Sequence, residues 1–456
     1  MSAKTARVQR ILGLETEYGC MLKGATPRAI SQIRDWFFER HRHGLIDRHE
    51  RGWDEPPRNG GFLFNGGRIY IDMGHLEYCT PECATVRDVV RYDRAGDRLL
   101  LEAVKALGLG ESVSFIRNNI DHHTGATFGC HENYSMLRTA PLTVANVQSL
   151  MAFLTLRVLF AGSGRVGESL SPLGAIGTGV EFQISQRADF IETELYEWVQ
   201  HNRAIINTRD EPLADPRQYR RLHLLHGDTN VLPAALYLKV GSTRLMLDLL
   251  EADELPLIAL ADAVDALRKL SRTPQPPWRV TLAGGKEADA VELLGEFRRC
   301  AEVRFAGRDA ETDAVLDLWM RVERGLADVP AQLAGLVDWV TKWQLLEGFR
   351  KQEGLRWNDP WLEAQDLEYH QVDPGRSLGL ALADMEGPWS RGVEDSAALV
   401  KPPGDTRASA RSLLMRRIAE GDEPYEIDWH RIEHGSDDPF VLLDPFQTKP
   451  GRSAGR

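Results

Sequence analysis

The stretch NGGRIYIDMGHLEYCTPE, residues 65–82, constrains this chain more than any other. RIYID reads as a strand, and strand periodicity sorts its side chains by parity. Arg68, Tyr70 and Asp72 take one side; Ile69 and Ile71 take the other. Met73-Gly74 supplies a short turn, after which His75 and Glu77 resume the polar side. A strand with one apolar face and one face of Arg, Tyr and Asp is half buried. Its polar face meets either bulk water or a charged cleft.

A second stretch favours the cleft. RILGLETEYG, residues 10–19, places Glu15 and Glu17 on one face, with Leu12, Leu14 and Tyr18 on the other. At strand rise the two carboxylates stand about 7 Å apart. Neighbouring carboxylates repel unless a cation sits between them. A lysine, an arginine or Mg²⁺ fills that role, and Mg²⁺ favours carboxylate and phosphate oxygens. Arg68 is then suited to hold a phosphate, and Asp72 to act on a proton. An ordinary ion-paired sheet face is the alternative.

A chain of 456 residues exceeds one minimal core, so two or three domains are expected, or one large domain with an appendage. A net charge of −12 argues against non-specific nucleic-acid binding. Cys20, Cys79, Cys83, Cys130 and Cys300 form no Cys-x-x-Cys pair. Free thiols in a reducing cytoplasm are therefore expected, not a disulfide framework or a structural zinc site. The first ten residues hold no apolar signal-peptide core, and no membrane span is expected.

Helical spacing predicts an amphipathic helix over residues 27–42, from Ile30, Ile33, Trp36 and Phe37. Residues 41–61 read as a loop, with His41, His43 and His49 solvated; none of these, nor His75, has metal-site spacing. A helix is expected over 86–107 and an apolar one over 142–160. Between them lie Asn118, Asn119 and Asp121 at a strand's end, candidates for binding, and Glu132, a further candidate carboxylate. Residues 179–189 alternate, and 205–230 are dense in Arg, Asp and His, with Arg209 beside Asp210-Glu211. Tyr219 to Leu225 reads as a strand with His223 exposed to one side. Residues 250–350 read as helical support, with Trp319, Trp339 and Trp343 in the core. The Asp373-Pro374-Gly375 turn divides a first domain, 1–375, from a small C-terminal domain, 376–456. No G-x-x-x-x-G-K-[ST] and no helix-opening G-x-G-x-x-G occurs. Bound nucleotide would thus rest on carboxylate-held metal and arginines on a sheet.

ETEYG, NGGRIYID, HLEY-x-TPE, FGCHENY, ISQRAD, NTRDEPLAD, YRRLHLLHGDTN, LKVGST, DLEYH-x-x-DPGR and DTRA follow one another from about residue 10 to the tail. Together they resemble the Pup ligase and Pup deamidase/depupylase family. The resemblance implies an α+β fold like that of glutamine synthetase: an antiparallel sheet cradle backed by helices, with a small C-terminal domain. It also implies ATP and Mg²⁺. Asp72 corresponds to the catalytic aspartate, and Glu15, Tyr70 and Glu77 to metal-site residues, with Glu17 as helper. Arg68, Thr80 and Trp389 correspond to ATP contacts, and Arg209 joins Arg68 in stabilising the γ-phosphoryl in flight. The implied reaction activates a carboxylate as an acyl phosphate for an amine, or stops at phosphoryl transfer as in a phosphotransferase. Pup or a Pup-like acidic protein, or another carboxylate substrate, is the implied partner, in the cytoplasm.

Markers of both family branches are present. The Asp72–Glu77 spacing, LLEGF and GLRW resemble the deamidase; GCHENY and Trp389 resemble the ligase. The 20–64 segment is intermediate in length. This mixture points to a divergent branch, with amide hydrolysis and a silent nucleotide-binding regulator as alternative activities.

Overall fold

The computed structural model describes residues 8–49, 55–121, 125–167, 170–171, 174–175, 180–198 and 203–451. Strand β1 (Leu12–Leu22) is the axis of a ten-stranded sheet. Leu12, Leu14, Thr16 and Tyr18 are buried along it, so its even positions face the core, as parity dictates. The other early strands are β2 (Gly44–Ile46), β3 (Gly60–Leu63), β4 (Arg68–Asp72), β5 (His75–Cys79), β6 (Val113–Ile116) and β7 (Cys130–Leu137). Four short strands follow and pair two by two: β8 (Arg165–Val166) with β11 (Phe182–Gln183), and β9 (Leu170–Ser171) with β10 (Gly174–Ala175). Strands β12 (Thr193–Tyr196), β13 (Ala204–Asn207) and β14 (Tyr219–Leu224) complete the large sheet. Its order is β12-β13-β14-β7-β1-β5-β4-β3-β2, with β6 paired to the far end of β1. Every neighbouring pair is antiparallel except β12–β13, which is parallel. The sheet is therefore antiparallel apart from one edge.

Helices cover the sheet's apolar side. They are α1 (Arg28–Phe38), α2 (Val86–Ala106), α3 (Val144–Leu156), α4 (Val158–Ala161), α5 (Pro233–Glu251) and α6 (Ala263–Ser271). The hairpin β15 (Arg279–Thr281)–β16 (Glu287–Asp289) comes next. Then follow α7 (Ala290–Phe305), α8 (Ala310–Asp328), α9 (Asp338–Glu353), α10 (Pro360–Tyr369) and α11 (Leu378–Ala381). Thr85 caps α2, its hydroxyl accepting from Asp88 N at 3.0 Å. Gly96 lets α2 approach the sheet: a Cβ there would lie 2.4 Å from Tyr78 Cδ1. Helix α12 (Arg407–Ile418) and the three-stranded sheet β17 (Tyr425–Ile427), β18 (Arg431–His434), β19 (Phe440–Val441) close the chain. Leu414, Met415 and Ile432 share an apolar cluster with Leu45, Phe62 and Phe64 of the large sheet's β2–β3 edge. Glu82 adds a charged clamp, bonded to Arg407 at 2.8 Å and Arg411 at 2.6 Å.

Several expectations change here. The 41–61 stretch is not all loop: β2 and β3 lie in it, too short for their alternation to register. His43 packs on Trp36 and Phe37 instead of standing in solvent. The apolar helix begins at Val144, where the Thr143 hydroxyl caps it. Residues 144–161 are long and apolar enough to cross a membrane, yet 78% of that window is buried inside the fold. Asn118 and Asn119 are buried and bonded within the fold, Asn119 to Phe128 O and Thr229.

Glu132 has the core-facing parity of β7. It is fully buried, 2.6 and 2.9 Å from the Arg157 guanidinium and 2.6 Å from the Tyr134 hydroxyl. Burial would raise its carboxyl, but the Arg157 and Lys239 charges outweigh that and hold it near 2. It is a structural anion behind the sheet. Arg157→Met should therefore destabilise the fold by about 3–5 kcal/mol, because it strands a buried charge. Replacing Glu132 with Leu in the same background should recover most of that loss. Urea denaturation midpoints of the single and double variants check both statements.

Candidate active site

The opposite side of the sheet carries the polar parity. On β1 these positions are Glu15 and Glu17; on β4, Arg68, Tyr70 and Asp72; on β5, His75, Glu77 and Cys79. Register brings Glu17 opposite Glu77, and Glu77 opposite Tyr70. One row over, Glu15 faces Cys79, and Cys79 faces Arg68. On the other flank of β1, Glu15 pairs with His131 of β7. Strand β7 sets Asn133 against His223 and Ser135 against Arg221 of β14. Alternation on separate strands thus assembles one continuous polar surface.

The acids fall into two groups. Glu15 Oε2 lies 3.2 Å from His131 Nδ1 and 3.6 Å from His223 Nε2. Its Oε1 accepts from Asn133 at 3.0 Å and Arg221 at 3.4 Å. Burial alone would raise this carboxyl; the His131 hydrogen bond, the nearby His223 ring and the Arg221 charge hold it well below the usual range. His223 is pushed down to about 3 by burial and by Arg221, so its ring is neutral at pH 7. An ionised carboxylate beside a neutral imidazole is a donor set for a divalent ion.

The second group is Glu17, Asp72 and Glu77, with carboxylate oxygens within 4.8 Å of one another. Burial, then the charges of Glu17, Glu15 and Asp72, push the Glu77 carboxyl well above its ordinary value. Its Oε1 is buried without a hydrogen-bond partner. Such crowding of acids is stable only with a proton or a cation among them. Tyr70 stays protonated, raised by burial and then by Glu77. Asp72 ends β4, immediately before Met73 and Gly74, both at positive φ (44° and 95°). This turn presents Asp72 across from His75, whose ring stacks on Phe128 at 4.5 Å.

A cleft of about 250 Å³ opens beside these groups. Its polar lining includes Glu15, Arg68, Tyr70, Thr80, Asn133 and Arg221; Ile11, Pro81, Trp429 and Pro445 supply apolar walls. Arg68 is buried over the Tyr70 ring at 4.4 Å, bonded to Asp47 at 3.1 Å and in contact with Glu55. Thr80 Oγ1 accepts from Leu14 N at 3.0 Å, which fixes the cleft floor. At the acid end stands Arg187, 2% exposed. It donates to Phe128 O and to Thr127 Oγ1, and among the described residues no carboxylate pairs with it. Burial lowers it to about 10, although the Glu17 charge acts in the other direction.

Glu15, Arg68, Tyr70 and Thr80 therefore line the cleft, while Glu17, Asp72 and Glu77 gather next to it. Glu15 sits with His131 and His223, apart from the group around Glu77. Arg209 lies on the rim, 58% exposed and bonded to Glu211 at 2.7 Å. Trp389 is buried in the helical core with its Nε1 on Asp384 O at 2.7 Å, and does not line the cleft. His223 is 5% exposed and turned to Glu15, not to solvent. Sequence reasoning missed His131, Asn133, Arg221 and Arg187. The alternation of CHENYSML carried a signal for the first two, since its odd positions oppose the buried Tyr134 and Met136.

The family model described as Pup-ligase protein matches residues 10–433. A depupylase from Acidothermus cellulolyticus is 40% identical over 383 residues, covering 81% of this chain and 74% of the relative. A Pup–protein ligase from Acidimicrobium ferrooxidans is 34% identical over 465 residues, covering 97% of each. Among solved structures, the complex between prokaryotic ubiquitin-like protein Pup and its ligase PafA aligns with TM-score 0.81 and 31% identity, over 98% of this chain and 90% of that one. PafA in complex with ADP aligns with TM-score 0.73 and 33% identity, over 85% and 87%. With its sequence blocks, its sheet and nearly its whole length matched in this way, the chain belongs to the Pup-ligase protein family.

Proposed function

We propose that this protein is an ATP-dependent carboxylate–amine ligase of the Pup-ligase type. One observation carries the reading: a cleft ending in Arg68, Thr80 and Glu15 adjoins a separate acid group that contains Asp72. The first part suits a nucleotide and the second suits the reacting partner. The related ligase PafA was solved with ADP and with Pup, so ATP and Pup, or a similar acidic protein, are the partners we assign. The reaction is assigned to the cytoplasm, which suits the five free thiols. Residues 376–456 are taken as a C-terminal unit that walls the cleft through Arg407, Trp429 and Pro445.

Mg²⁺ fits the acid face. Glu77 carries an orphaned buried oxygen and crowds Glu17 and Asp72, which a divalent ion would relieve. Glu17, Glu77 and Tyr70 would hold one ion; Glu15 with His131 and His223 would hold another, whose nitrogen donors also admit Mn²⁺. When bound, the ion neutralises triphosphate charge. The protein's own groups do the rest. Arg68, stacked and anchored by Asp47, is preorganised to meet a phosphate oxygen. The donor carboxylate attacks the γ-phosphorus, ADP departs, and an acyl phosphate forms. The amine then attacks the acyl carbon, phosphate leaves, and Asp72 takes the amine's proton. Arg187, a buried cation paired with no carboxylate among the described residues, faces the anionic groups that gather at this end. Arg209 reaches phosphate only by leaving Glu211, and Trp389 acts through packing.

Amide hydrolysis is the second reading. The Asp72–Glu77 spacing and 40% identity to a depupylase favour it. Mass spectrometry of the pure protein with Mg·ATP, a carboxylate donor and an amine separates the two. New amide bonds formed one per ATP consumed support ligation; bond cleavage with a non-hydrolysable ATP analogue supports hydrolysis and sinks the first reading.

Asp72→Asn should lower turnover by about 10³-fold and leave nucleotide affinity within about twofold. Glu15→Ala should weaken Mg·ATP binding by about tenfold. Calorimetric titration of both variants decides, and equal losses of affinity would refute this division of labour. A pH series tests the acid face. A carboxyl raised in the fold binds its proton more tightly there than in the unfolded chain. Without divalent ions, stability should therefore fall as pH rises above the ordinary carboxylate range. Glu77→Gln should flatten that fall, and with it the gain in Tm on adding Mg²⁺.

A further inference from the structure

The loop after β14, His226-Gly227-Asp228-Thr229-Asn230, contributes no side chain to the cleft lining. Its Asp228 is nonetheless bonded as an organising group. The carboxylate is 3% exposed. Oδ2 accepts from Ser163 N at 2.8 Å and Gln186 N at 2.9 Å. Oδ1 accepts from Ser185 Oγ at 2.9 Å and Arg187 N at 3.2 Å. The Ser185 hydroxyl in turn accepts from Arg187 N and Ala188 N, each at 3.1 Å. Among the described residues no lysine or arginine side chain pairs with this carboxylate; Lys239 reaches only the Asp228 carbonyl, at 2.7 Å. A buried anion gripped by converging N–H and O–H donors fixes the backbone that supplies them.

That backbone carries Arg187. The guanidinium leaves the turn towards Phe128 O, and the next carbonyl, that of Gly129, accepts from Glu17 N at 3.2 Å. Arg187 is thus one peptide unit away from the strand that holds Glu17. The same loop secures the acceptor side as well. Thr229 N donates to Asn119 Oδ1 at 2.7 Å, and Asn119 Nδ2 donates to Thr229 Oγ1 at 2.9 Å and to Phe128 O at 3.0 Å. Gln186 closes the set, its Oε1 accepting from Asn119 N at 2.6 Å. Asp228 and Thr229 therefore determine both the origin of the Arg187 side chain and the carbonyl it rests on.

We propose that Asp228 is a positioning residue for the reaction: it fixes the Ser185–Arg187 turn and so aims the Arg187 guanidinium at the Glu17–Asp72–Glu77 face. The inference rests on the reading that anionic reacting groups gather at that face. Asp228 touches no substrate and acts only through Arg187. Loosening the turn would let a long side chain sample other rotamers, and a misplacement of about 1 Å is enough to slow a positioned reaction some 100-fold.

A double-mutant cycle tests this. Asp228→Asn keeps the shape but sets an NH₂ group against backbone N–H donors. Full-length wild type, Asp228→Asn, Arg187→Ala and the double variant are compared with Mg·ATP, donor and amine. Arg187→Ala should lower kcat/KM for the donor about 100-fold, and Asp228→Asn about tenfold, with nucleotide Kd within about twofold throughout. The double variant should be no worse than Arg187→Ala alone. Losses that multiply, or an Asp228→Asn variant that loses nucleotide binding as much as turnover, overturn the proposal. If Asp228→Asn does not fold, Ser185→Ala removes a single donor; its roughly threefold loss should likewise vanish in the Arg187→Ala background. Hydrogen exchange gives an arm independent of activity. The Gln186, Arg187 and Ala188 amides should exchange faster in Asp228→Asn while those of β1 and β5 do not change, and unchanged exchange at 186–188 also overturns it. Wild type without ATP-dependent turnover would instead refute the functional reading, with the exchange result still deciding whether Asp228 holds the turn.

Discussion

Glu17 and Glu77 stand directly opposite each other on neighbouring strands, with Asp72 within reach of both. Like charges so placed would push β1 and β5 apart in an isolated sheet. They persist because the opposite parity of the same strands is locked into the core. Leu14, Tyr18, Ile69, Leu76 and Tyr78 are all buried, and a fully buried side chain of that size contributes about 1.5–3 kcal/mol. The apolar face holds the acidic face in place. The crowding is then a standing demand for a proton or a cation among these carboxylates.

Several buried charges elsewhere meet an opposite charge within the protein. Glu132 meets Arg157, Glu82 meets Arg407 and Arg411, and Arg117 meets Asp93 and Asp97. Each is a closed set, buried and bonded. The acid face beside the cleft differs: Glu17, Asp72 and Glu77 crowd one another, and among the described residues no carboxylate pairs with Arg187. That contrast assigns the closed ion pairs to the scaffold and marks the crowded acids with Arg187 as the candidate site. It explains why Glu132, equally acidic and equally buried, belongs to the scaffold. It also explains why Asp228 is of interest. It spends its charge on backbone donors and so converts a buried anion into loop geometry.

Both branches of the family leave their mark on this chain. Identity is higher to the depupylase, over part of the length, while the ligase alignment runs through nearly all of both chains. The sheet face does not choose between them by itself. A carboxylate wall, an arginine over an aromatic ring and an aspartate at a turn can serve an amine or a water molecule, because the proton to be removed lies in the same place.

Much of the site was legible in the sequence, and the reason is parity. Strand alternation is a local rule, so Glu15 with Glu17, and Arg68 with Tyr70 and Asp72, could be grouped from spacing alone. Blocks in family order extended this to Glu77 and Thr80. The same rule, applied to Cys130–Leu137, separates His131 and Asn133 from Glu132, but the acidic side chain drew attention to the wrong face. What no local rule contains is which strands lie side by side. Only the tertiary structure put β7 beside β1 and β14 beside β7, and so brought Glu15 to His131, His223 and Arg221. Only it took Trp389 into the core and left Arg209 on the rim. Periodicity acts through neighbours along the chain, whereas these placements depend on contacts between elements far apart in sequence, and those are decided by packing the whole apolar core at once.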